Sequence, residues 1–520
     1  MSENYRVLKA AGVVGSATLL SRILGFIRDA VIAWYFGAGF SSDAFIAAFR
    51  IPNLLRRLFA EGSLSSAFIP VFSEYVVKQG QTDAFKLARS ALKFLSVFLA
   101  IVAIIGVLLA PWIVRIIAPG FGEGKLALTV TLTRIMFPYI LFIGLVALCM
   151  GILNVLGHFA APALAPVLLN LSIIGSIFII SPKMATPVLG LALGVLIGGV
   201  LQLLVQLPFL VRMGFRFWEK TKFVHPGLKR IGVLLPPIIL GGAVYQINIL
   251  FGTLLGSLLS EGSVTYLYFA DRLVQFPLGI FAIAAATAVL PRLSHQAVTN
   301  DINGLRQTFS HSIKLVFFIT IPAMVGLIIL REPIVALLFQ RGEFDATATR
   351  LTAEGPLYYC IGLWAFSAVR IVTATFFALQ DTRTPVQTAA VSILANVLLG
   401  IILMKPLDHG GLALATSLAS ILNLGLLVRA LSRKLGSLGW RSIAYSICKT
   451  SICSLIMGLG VWGSTLFIVP TDNRTLLNLF LSVGGCIATG LCIYGVFSFV
   501  IKSPELDSVM AEVKKGIGKK

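Results

Sequence analysis

Residues 94–114 read FLSVFLAIVAIIGVLLAPWIV and contain no charged side chain in twenty-one positions. An α-helix rises about 1.5 Å per residue, so this stretch would be about 30 Å long, which matches the hydrocarbon core of a bilayer. Lys93 and Arg115 mark its two ends. The stretch therefore predicts a helix that crosses a membrane.

The composition of the whole chain indicates the same surroundings. Of 520 residues, 57% are hydrophobic and only 12% are charged, about half of the roughly 25% that is usual in soluble proteins, and the mean hydropathy is +0.94. A soluble protein of this length could not cover its core with so few charged groups. The composition excludes a soluble enzyme, a nucleic-acid-binding domain and a disordered scaffold, and it predicts an all-α polytopic membrane protein.

Further charge-free runs predict further spans. Besides 94–114, these runs include 135–182 (long enough for two helices), 231–260, 273–291, 315–330, 384–404, 410–428, 450–471 and 475–501. With two less apolar N-terminal helices and one span near 351–379, we count fourteen transmembrane helices. The first is predicted over Leu8–Phe36, and it lacks the short apolar region and cleavage site of a signal peptide, so we expect it to be retained.

The distribution of Lys and Arg predicts the orientation of the chain. One alternate set of loops and the C-terminal tail is basic, and includes Lys78, Lys86, Arg89, Lys93, Arg212, Arg216, Lys220, Lys222, Arg429, Arg433, Lys434, Lys514 and Lys515. The intervening loops are poor in positive charge, except 331–350, where acidic residues partly offset three arginines. Because cytoplasmic loops collect Lys and Arg, we expect both termini in the cytoplasm. The net charge of +21 then needs no nucleic-acid partner.

The two halves of the chain resemble one another weakly. Gly190-Leu191-Ala192-Leu193 matches Gly411-Leu412-Ala413-Leu414, and Ala67-Phe68-Ile69-Pro70 resembles Ala288-Val289-Leu290-Pro291, each pair 221 positions apart (411 against 190, and 291 against 70). We predict a duplication with a six-helix lobe over 1–222, a second over 223–438, and two extra helices with a basic tail over 439–520. Lobes with an even number of spans are parallel, and parallel repeats place a binding site between them near mid-membrane.

Charged residues interrupt the apolar helices. Those predicted to lie in or beside the membrane are Arg22, Arg28, Asp29, Asp43, Arg50, Arg56 and Arg57 in the first lobe, and Asp271, Arg272 and Arg370 in the second. An Arg at the centre of a membrane helix costs about 2.5–3.5 kcal/mol if it faces lipid. We therefore expect these side chains to face a hydrated, protein-lined cavity. Pro52 is expected to kink or break the second helix.

Two interpretations of these charges are open. In the first, the charges only pair: Arg28 with Asp29 or Asp43, Arg272 with Asp271, and Arg56 or Arg57 extended to the interface. In the second, the excess arginines bind an anion, because guanidinium groups match phosphate oxygens and keep their charge in any cavity. A drug or cation exporter would need an acidic or aromatic lining instead.

Several of these motifs resemble those of a known family. They are Ser21-Arg22-x-Leu24-Gly25-Phe26-x-Arg28-Asp29, Phe36-Gly37-Ala38-Gly39, Asp43-Ala44-Phe45, Pro52-Asn53-Leu54-Leu55-Arg56-Arg57 through Ala60-Glu61-Gly62, Tyr268-Phe269-Ala270-Asp271-Arg272 and Phe276-Pro277. Together they resemble the MurJ (MviN) family of the multidrug/oligosaccharidyl-lipid/polysaccharide exporter superfamily over essentially the whole chain. The resemblance implies a bacterial inner-membrane flippase for lipid II, the undecaprenyl-pyrophosphate-linked peptidoglycan precursor, that works by alternating access.

The resemblance also implies roles for single residues and for partners. The implied essential cavity charges are Arg22, Arg28, Asp43, Arg56 and Arg272, and the implied acidic partners beside them are Asp29 and Asp271. The two C-terminal helices resemble a pair that forms a groove for the lipid tail. The expected partners are lipid II and membrane lipids, with a monomeric state and contact to the cell-wall synthesis machinery as further expectations. We expect no cofactor; the membrane potential, Na⁺ and H⁺ stay open as energy sources, and we identify no acidic sodium site.

Three other functions are also open. The chain could export another polyprenyl-linked glycan, or drugs, as other members of the superfamily do. A membrane-embedded glycosyl- or phosphotransferase would need a metal-binding carboxylate cluster or a histidine base, and the sequence suggests neither. A scaffold for cell-wall machinery leaves the intramembrane arginines unexplained. Because the sequence has no HExxH, GxSxG or P-loop motif, we expect a transporter and not an enzyme.

Overall fold

The computed structural model describes residues 3–58, 64–468 and 475–517, and every regular element within these ranges is helical. The helices are α1 (Glu3–Phe36), α2 (Phe40–Leu58), α3 (Leu64–Lys78), α4 (Gln81–Ile117), α5 (Glu123–Met136), α6 (Tyr139–Val155), α7 (Ala160–Ile179), α8 (Val188–Arg212), α9 (Pro226–Ser257), α10 (Ser263–Pro277), α11 (Ile283–Val298), α12 (Ile302–Phe339), α13 (Ala346–Ile361), α14 (Leu363–Ala378), α15 (Arg383–Leu435), α16 (Trp440–Ile468), α17 (Leu476–Val500) and α18 (Pro504–Ile517). A π-helical turn, Leu278–Ala282, joins α10 to α11.

The helices confirm an all-α, multi-pass membrane protein. In the described part of the chain, eight helical segments are long and apolar enough to cross a membrane, or nine if α13 and α14 form one span with a 45° bend. One of the eight is α15, which contains the two spans predicted over 384–404 and 410–428. The total of fourteen spans stays a prediction.

The span predicted over 94–114 lies within α4, and its burial pattern shows why this stretch is helical. Leu99, Ala103, Gly106 and Ala110 are buried, and their spacing of three to four residues places them on one helix face. Ile101 and Leu108 lie between them and are exposed. One face of α4 thus packs on the protein, and the other presents the apolar side chains that a membrane requires.

A break inside α15 separates the two spans predicted over 384–404 and 410–428. Asp408 has φ 48° and ψ −134°, values that no α-helix contains. A Cβ atom at Gly411 would overlap the carbonyl oxygen of Leu403, so the chain folds back on itself closely at this point. The two halves of α15 therefore correspond to the two predicted spans.

One of the two expected effects of Pro52, a break of the second helix, does not occur, because α2 continues through Pro52 to Leu58. The other, a kink, stays a prediction. A proline removes one backbone donor, and membrane helices tolerate this because neighbouring groups can satisfy the carbonyl that is released. Residues Ala60, Glu61 and Gly62 of the same predicted motif lie outside the described residues.

The chain forms two compact units, Met1–Val264 and Thr265–Lys520. In the first unit α7 packs on α1 and α8, α2 packs on α5, and α9 packs on α3 and α4. In the second unit α12 packs on α13, α14, α16 and α17. The predicted lobe boundary at 222/223 is based on the duplication and places α9 in the second lobe. The compact units instead include α9 in the first unit, because it packs on α3 and α4. The division into 1–222, 223–438 and 439–520 stays a prediction.

Candidate functional site

Arg28 lies on α1 and is held by groups from two helices. Its Nε and Nη2 atoms donate to Asp29 Oδ1 at 3.0 and 2.6 Å, and Nη1 donates to Asn170 Oδ1 on α7 at 3.1 Å. The amide nitrogen of Asn170 donates in turn to the backbone carbonyl of Ser21 at 3.0 Å. Arg28 is only 7% exposed and Asp29 2%. The guanidinium is therefore fixed in one orientation, with a carboxylate beside it.

Arg22 lies in different surroundings from Arg28, although both are on α1. Arg22 is exposed and has no hydrogen-bond or ion-pair partner among the residues that the structure describes. Asp29, seven positions on, is buried. The shared helix face that the spacing of these two residues indicates therefore does not give them the same neighbours.

Arg56 lies near the end of α2 and is half-buried. Its Nε and Nη2 atoms donate to Asn53 Oδ1 at 3.2 and 2.8 Å. Asn53 precedes Arg56 by three residues, which places the two side chains on neighbouring positions of one helix face. The Pro52–Arg57 motif therefore supplies the amide that orients its own arginine.

Asp43 lies in the first turn of α2 and belongs to a separate cluster. Its Oδ2 atom accepts the Nζ of Lys125 from α5 at 3.1 Å and the backbone N–H of Gly262 at 2.8 Å. Glu261 Oε2 is 3.8 Å from the same Lys125 nitrogen. Asp43 is 1% exposed. It therefore joins α2, α5 and the turn between α9 and α10 through one buried carboxylate.

Asp271 and Arg272 lie on α10, and their side chains are half-buried. An Nη2 atom of Arg272 donates to the hydroxyl of Tyr268 at 2.9 Å, and the guanidinium carbon lies 5.0 Å from the centre of the Tyr268 ring. Asp271 accepts a hydrogen bond from the side-chain nitrogen of Gln275. Each residue of this predicted pair thus has a partner one helical turn away.

The structure distributes the predicted site residues over several places. In the first unit, Arg28 and Asp29 form one cluster, Arg56 pairs with Asn53, Asp43 belongs to another cluster, and Arg22 is exposed. Asp271 and Arg272 lie in the second unit. The prediction that the charges of both lobes line a common cavity stays a prediction. In the described ranges, no three His, Cys, Asp or Glu side chains gather as metal ligands.

Sequence reasoning missed two residues that matter for this geometry. Asn170 was recognisable as a polar side chain in the otherwise apolar α7, but nothing in the sequence connects it to Arg28. Lys125 is 82 positions from Asp43, and no spacing rule pairs them. Both contacts depend on which helices become neighbours.

The arrangement of the arginine side chains suits electrostatic binding of an anion. Guanidinium groups stay charged at any physiological pH and match phosphate and carboxylate oxygens in geometry. Arg28 is oriented by Asp29 and Asn170, whereas Arg22 is exposed and Arg56 and Arg272 are half-buried. The arrangement can therefore bind and position an anionic group.

Comparison with known proteins gives a consistent result across the chain. A family model described as "Lipid II flippase MurJ" matches residues 32–474. A protein of Vibrio cholerae named probable lipid II flippase MurJ is 38% identical over 504 residues, which are 95% of this chain and 95% of that protein. The lipid II flippase MurJ of Burkholderia cenocepacia is 36% identical over 500 residues, 94% of this chain and 96% of its own length.

Solved structures show the same likeness. A lipid II flippase MurJ in an inward closed conformation superposes with a TM-score of 0.79 at 29% identity, covering 94% of this chain and 98% of that one. An inward-facing MATE multidrug transporter of the MOP superfamily superposes with a TM-score of 0.67 at 16% identity, covering 82% and 98%. This second likeness concerns the fold alone.

Proposed function

The chain belongs to the Lipid II flippase MurJ family, as its motifs indicated, and we propose that it moves lipid II from the cytoplasmic to the periplasmic leaflet by alternating access. The polyprenyl tail stays in the bilayer while the polar head crosses past the arginines of the first unit. No covalent step is required, because the head is carried across unchanged.

Two arginines of α1, Arg28 buried and Arg22 exposed, are the observation that carries this proposal. A guanidinium inside an apolar helix is costly unless it is hydrogen-bonded and neutralised, and Asp29 and Asn170 do both. This accounts for the stability of Arg28, but not for Arg22, which is exposed on the same helix. A pyrophosphate group in the head of lipid II accounts for this further positive charge.

The same proposal includes a place in the cell and an orientation. The chain lies in the bacterial inner membrane with both termini in the cytoplasm, because its basic loops alternate with loops poor in Lys and Arg. It acts as a monomer that receives lipid II from, and delivers it to, the enzymes of cell-wall synthesis. A protein tag that becomes fluorescent only in the cytoplasm tests the orientation. We expect fluorescence when it is fused to either end of the chain.

Substitution of the arginines tests the function in cells. In a strain depleted of its own flippase and complemented by this chain, we expect Arg28→Ala and Arg272→Ala to insert normally, to lose most lipid II accessibility at the outer face, and to fail to support growth. Arg28→Lys keeps the charge but not the forked geometry, so we expect partial activity. Arg429→Ala, at an exposed position near the end of α15, is the matched control.

Growth with either alanine variant as the sole copy, at normal lipid II export, contradicts the proposed role of that arginine. Loss of insertion or of protein level in a variant indicates a structural role instead, so membrane levels are measured in parallel. These outcomes are distinct from failure of the unaltered chain to complement the strain, which contradicts the proposed function itself.

The main competing function is export of another polyprenyl-linked glycan or of a drug. Native mass spectrometry of the purified chain with lipid II, and with competing polyprenyl-linked lipids at equal concentration, separates these possibilities. We expect lipid II to be retained and Arg28→Ala to weaken its binding. Preferential retention of a different lipid would support the competing function.

A further inference from the structure

A short segment rich in basic and aromatic residues joins α8 to α9. We name residues 213–225 the strap. Its basic side chains Arg216, Lys220 and Lys222 are exposed. Trp218 is 90% exposed and Val224 75%. Phe223 is exposed as well, so three large apolar side chains are exposed within one short segment, and clustered exposed apolar surface indicates an interaction site.

The strap is held in place through its backbone, so its side chains are free to face outward. The bonds that attach it to α4 are Arg89 Nη1 to the carbonyl of Arg216 (3.1 Å), Ser90 Oγ to that of Lys222 (2.6 Å) and Lys93 Nζ to that of Thr221 (3.3 Å). Phe215 is fully buried and packs edge-on against Phe85. The shape of the strap therefore does not depend on its outward-facing charges.

The strap lies where α4 enters the membrane. The exposed apolar face of α4 extends from Phe94 to Ile116, about 33 Å at 1.5 Å per residue, which is close to the thickness of the hydrocarbon core. The rings of Phe94 and Phe223 are 6.1 Å apart in an edge-to-face contact. The strap thus meets α4 at the end of its lipid-facing stretch, at the level of the lipid headgroups.

The outward charge of the strap is positive. Its one acidic residue, Glu219, forms an ion pair of 2.7 Å with the buried Arg89 and also lies 3.8 Å from Arg216. The three basic side chains Arg216, Lys220 and Lys222 outnumber this single carboxylate, which Arg89 already neutralises, so the potential of the surface is positive. Tryptophan is typical of membrane interfaces, and basic clusters beside membrane helices attract anionic lipids. We propose that the strap binds the headgroups of anionic phospholipids, with Trp218 inserted at the interface. This inference is independent of the transported substrate.

Fluorescence quenching tests the proposal on the full chain in nanodiscs. The quenching due to Trp218 is the difference between the chain and Trp218→Phe, measured with brominated phosphatidylglycerol or brominated phosphatidylcholine at equal mole fraction. We expect several-fold stronger quenching by phosphatidylglycerol. Each basic residue near an anionic surface contributes about fivefold in affinity, so Arg216→Gln, Lys220→Gln and Lys222→Gln together should remove the preference, and the two lipids should then quench Trp218 equally.

A matched control removes the same charge elsewhere. Arg429→Gln, Arg433→Gln and Arg441→Gln lie at exposed positions of the second unit, and together they should leave the quenching of Trp218 unchanged. Equal quenching of the unaltered chain by both lipids overturns the proposal. An equal loss of the preference for phosphatidylglycerol in the control variant overturns it as well. Absence of quenching by either lipid also overturns it, and would indicate that the strap faces a soluble acidic partner. Unchanged thermal unfolding of both triple variants shows that the strap remains folded.

Discussion

At the scale of single residues, specific partners keep the buried charges Arg28 and Asp43 stable in apolar surroundings. Arg28 has Asp29 and Asn170, and Asp43 has Lys125. Removing one partner of a buried ion pair leaves an uncompensated charge, whereas removing both is far less costly. The two partners of such a pair are therefore coupled in their effect on stability.

The Asp43–Lys125 pair gives a prediction about this coupling. Asp43→Ala or Lys125→Met alone should lower the free energy of unfolding by up to about 3–5 kcal/mol. Lys125→Met removes the ammonium beside the buried carboxylate, and Asp43→Ala leaves Lys125 only the more distant Glu261 carboxylate at 3.8 Å. The double variant should be more stable than the sum of the two losses predicts. Thermal unfolding of the purified variants in one detergent measures all three.

The outcome also distinguishes a structural from a transport role for Asp43. Asp43→Asn keeps an oxygen that can accept the N–H of Gly262 but removes the charge. If the stability lost in the double variant equals the sum of the two single losses, the pairing is contradicted. Normal stability of Asp43→Asn with abolished lipid II export would show that the carboxylate acts on the substrate, as the family resemblance implied.

At the scale of the elements, close approach of backbones decides where glycine is required. Gly411 lies where α15 turns back, and a methyl group there would overlap the Leu403 carbonyl. We predict that Gly411→Ala destabilises the protein by about 1–3 kcal/mol, as overpacking does. Gly425→Ala, in the same helix, meets no atom within 4 Å and is the control. Equal unfolding temperatures of the two variants would show that the turn has room for a side chain.

The open end of the α15 hairpin carries an ion pair that depends on pH. The hydrogen bond from the ammonium of Lys434, with the backbone N–H of Thr384, lowers the pKa of Asp381 below its ordinary value. Because the unfolded chain has the higher pKa, this stabilisation is complete above about pH 4. It declines as pH falls, since the unfolded chain takes up its proton first, and it is lost once pH passes below the folded pKa.

The resulting prediction concerns Asp381→Asn. The variant should be less stable than the unaltered chain at pH 7, by no more than about 1 kcal/mol because the pair is partly exposed and solvent screens it. The difference should shrink steadily below pH 4. Thermal unfolding measured from pH 7 downward checks this, and a difference that grows on acidification would contradict the assigned sign. Lys434→Gln should reproduce the effect.

The sequence predicted the helices better than their bends and contacts. Charge-free runs predicted α4 and α17 because a lipid environment leaves a direct mark on composition. The bend between α13 and α14 was not predicted. It lies at Gly362, where a Cβ would meet the backbone of Ser417, and this close approach joins parts of the chain that are distant in sequence. Likewise, the sequence left Asp29 and Asp43 open as partners of Arg28, and the contact with Asn170 depends on the packing of α1 on α7.

At the scale of the whole molecule, the energy source follows from the charge that crosses the membrane. One elementary charge moved through 100 mV corresponds to about 2.3 kcal/mol, roughly a fiftyfold change in an equilibrium constant. An anionic head group that leaves an inside-negative cell moves downhill. We therefore propose that the membrane potential drives transport, provided that the arginines which bind the head group do not travel the full distance with it.

Proteoliposomes test this last point directly. With the full chain reconstituted and a potassium gradient clamped by valinomycin, we expect lipid II transfer to accelerate when the side that the head group leaves is negative, and to slow when the sign is reversed. Replacing Na⁺ by choline, or setting the pH equal on both sides with a concentrated buffer, should then have little effect. A rate that ignores the potential but follows one of these gradients would show that the head group crosses as a neutral complex with its guanidinium partners, and that an ion supplies the energy.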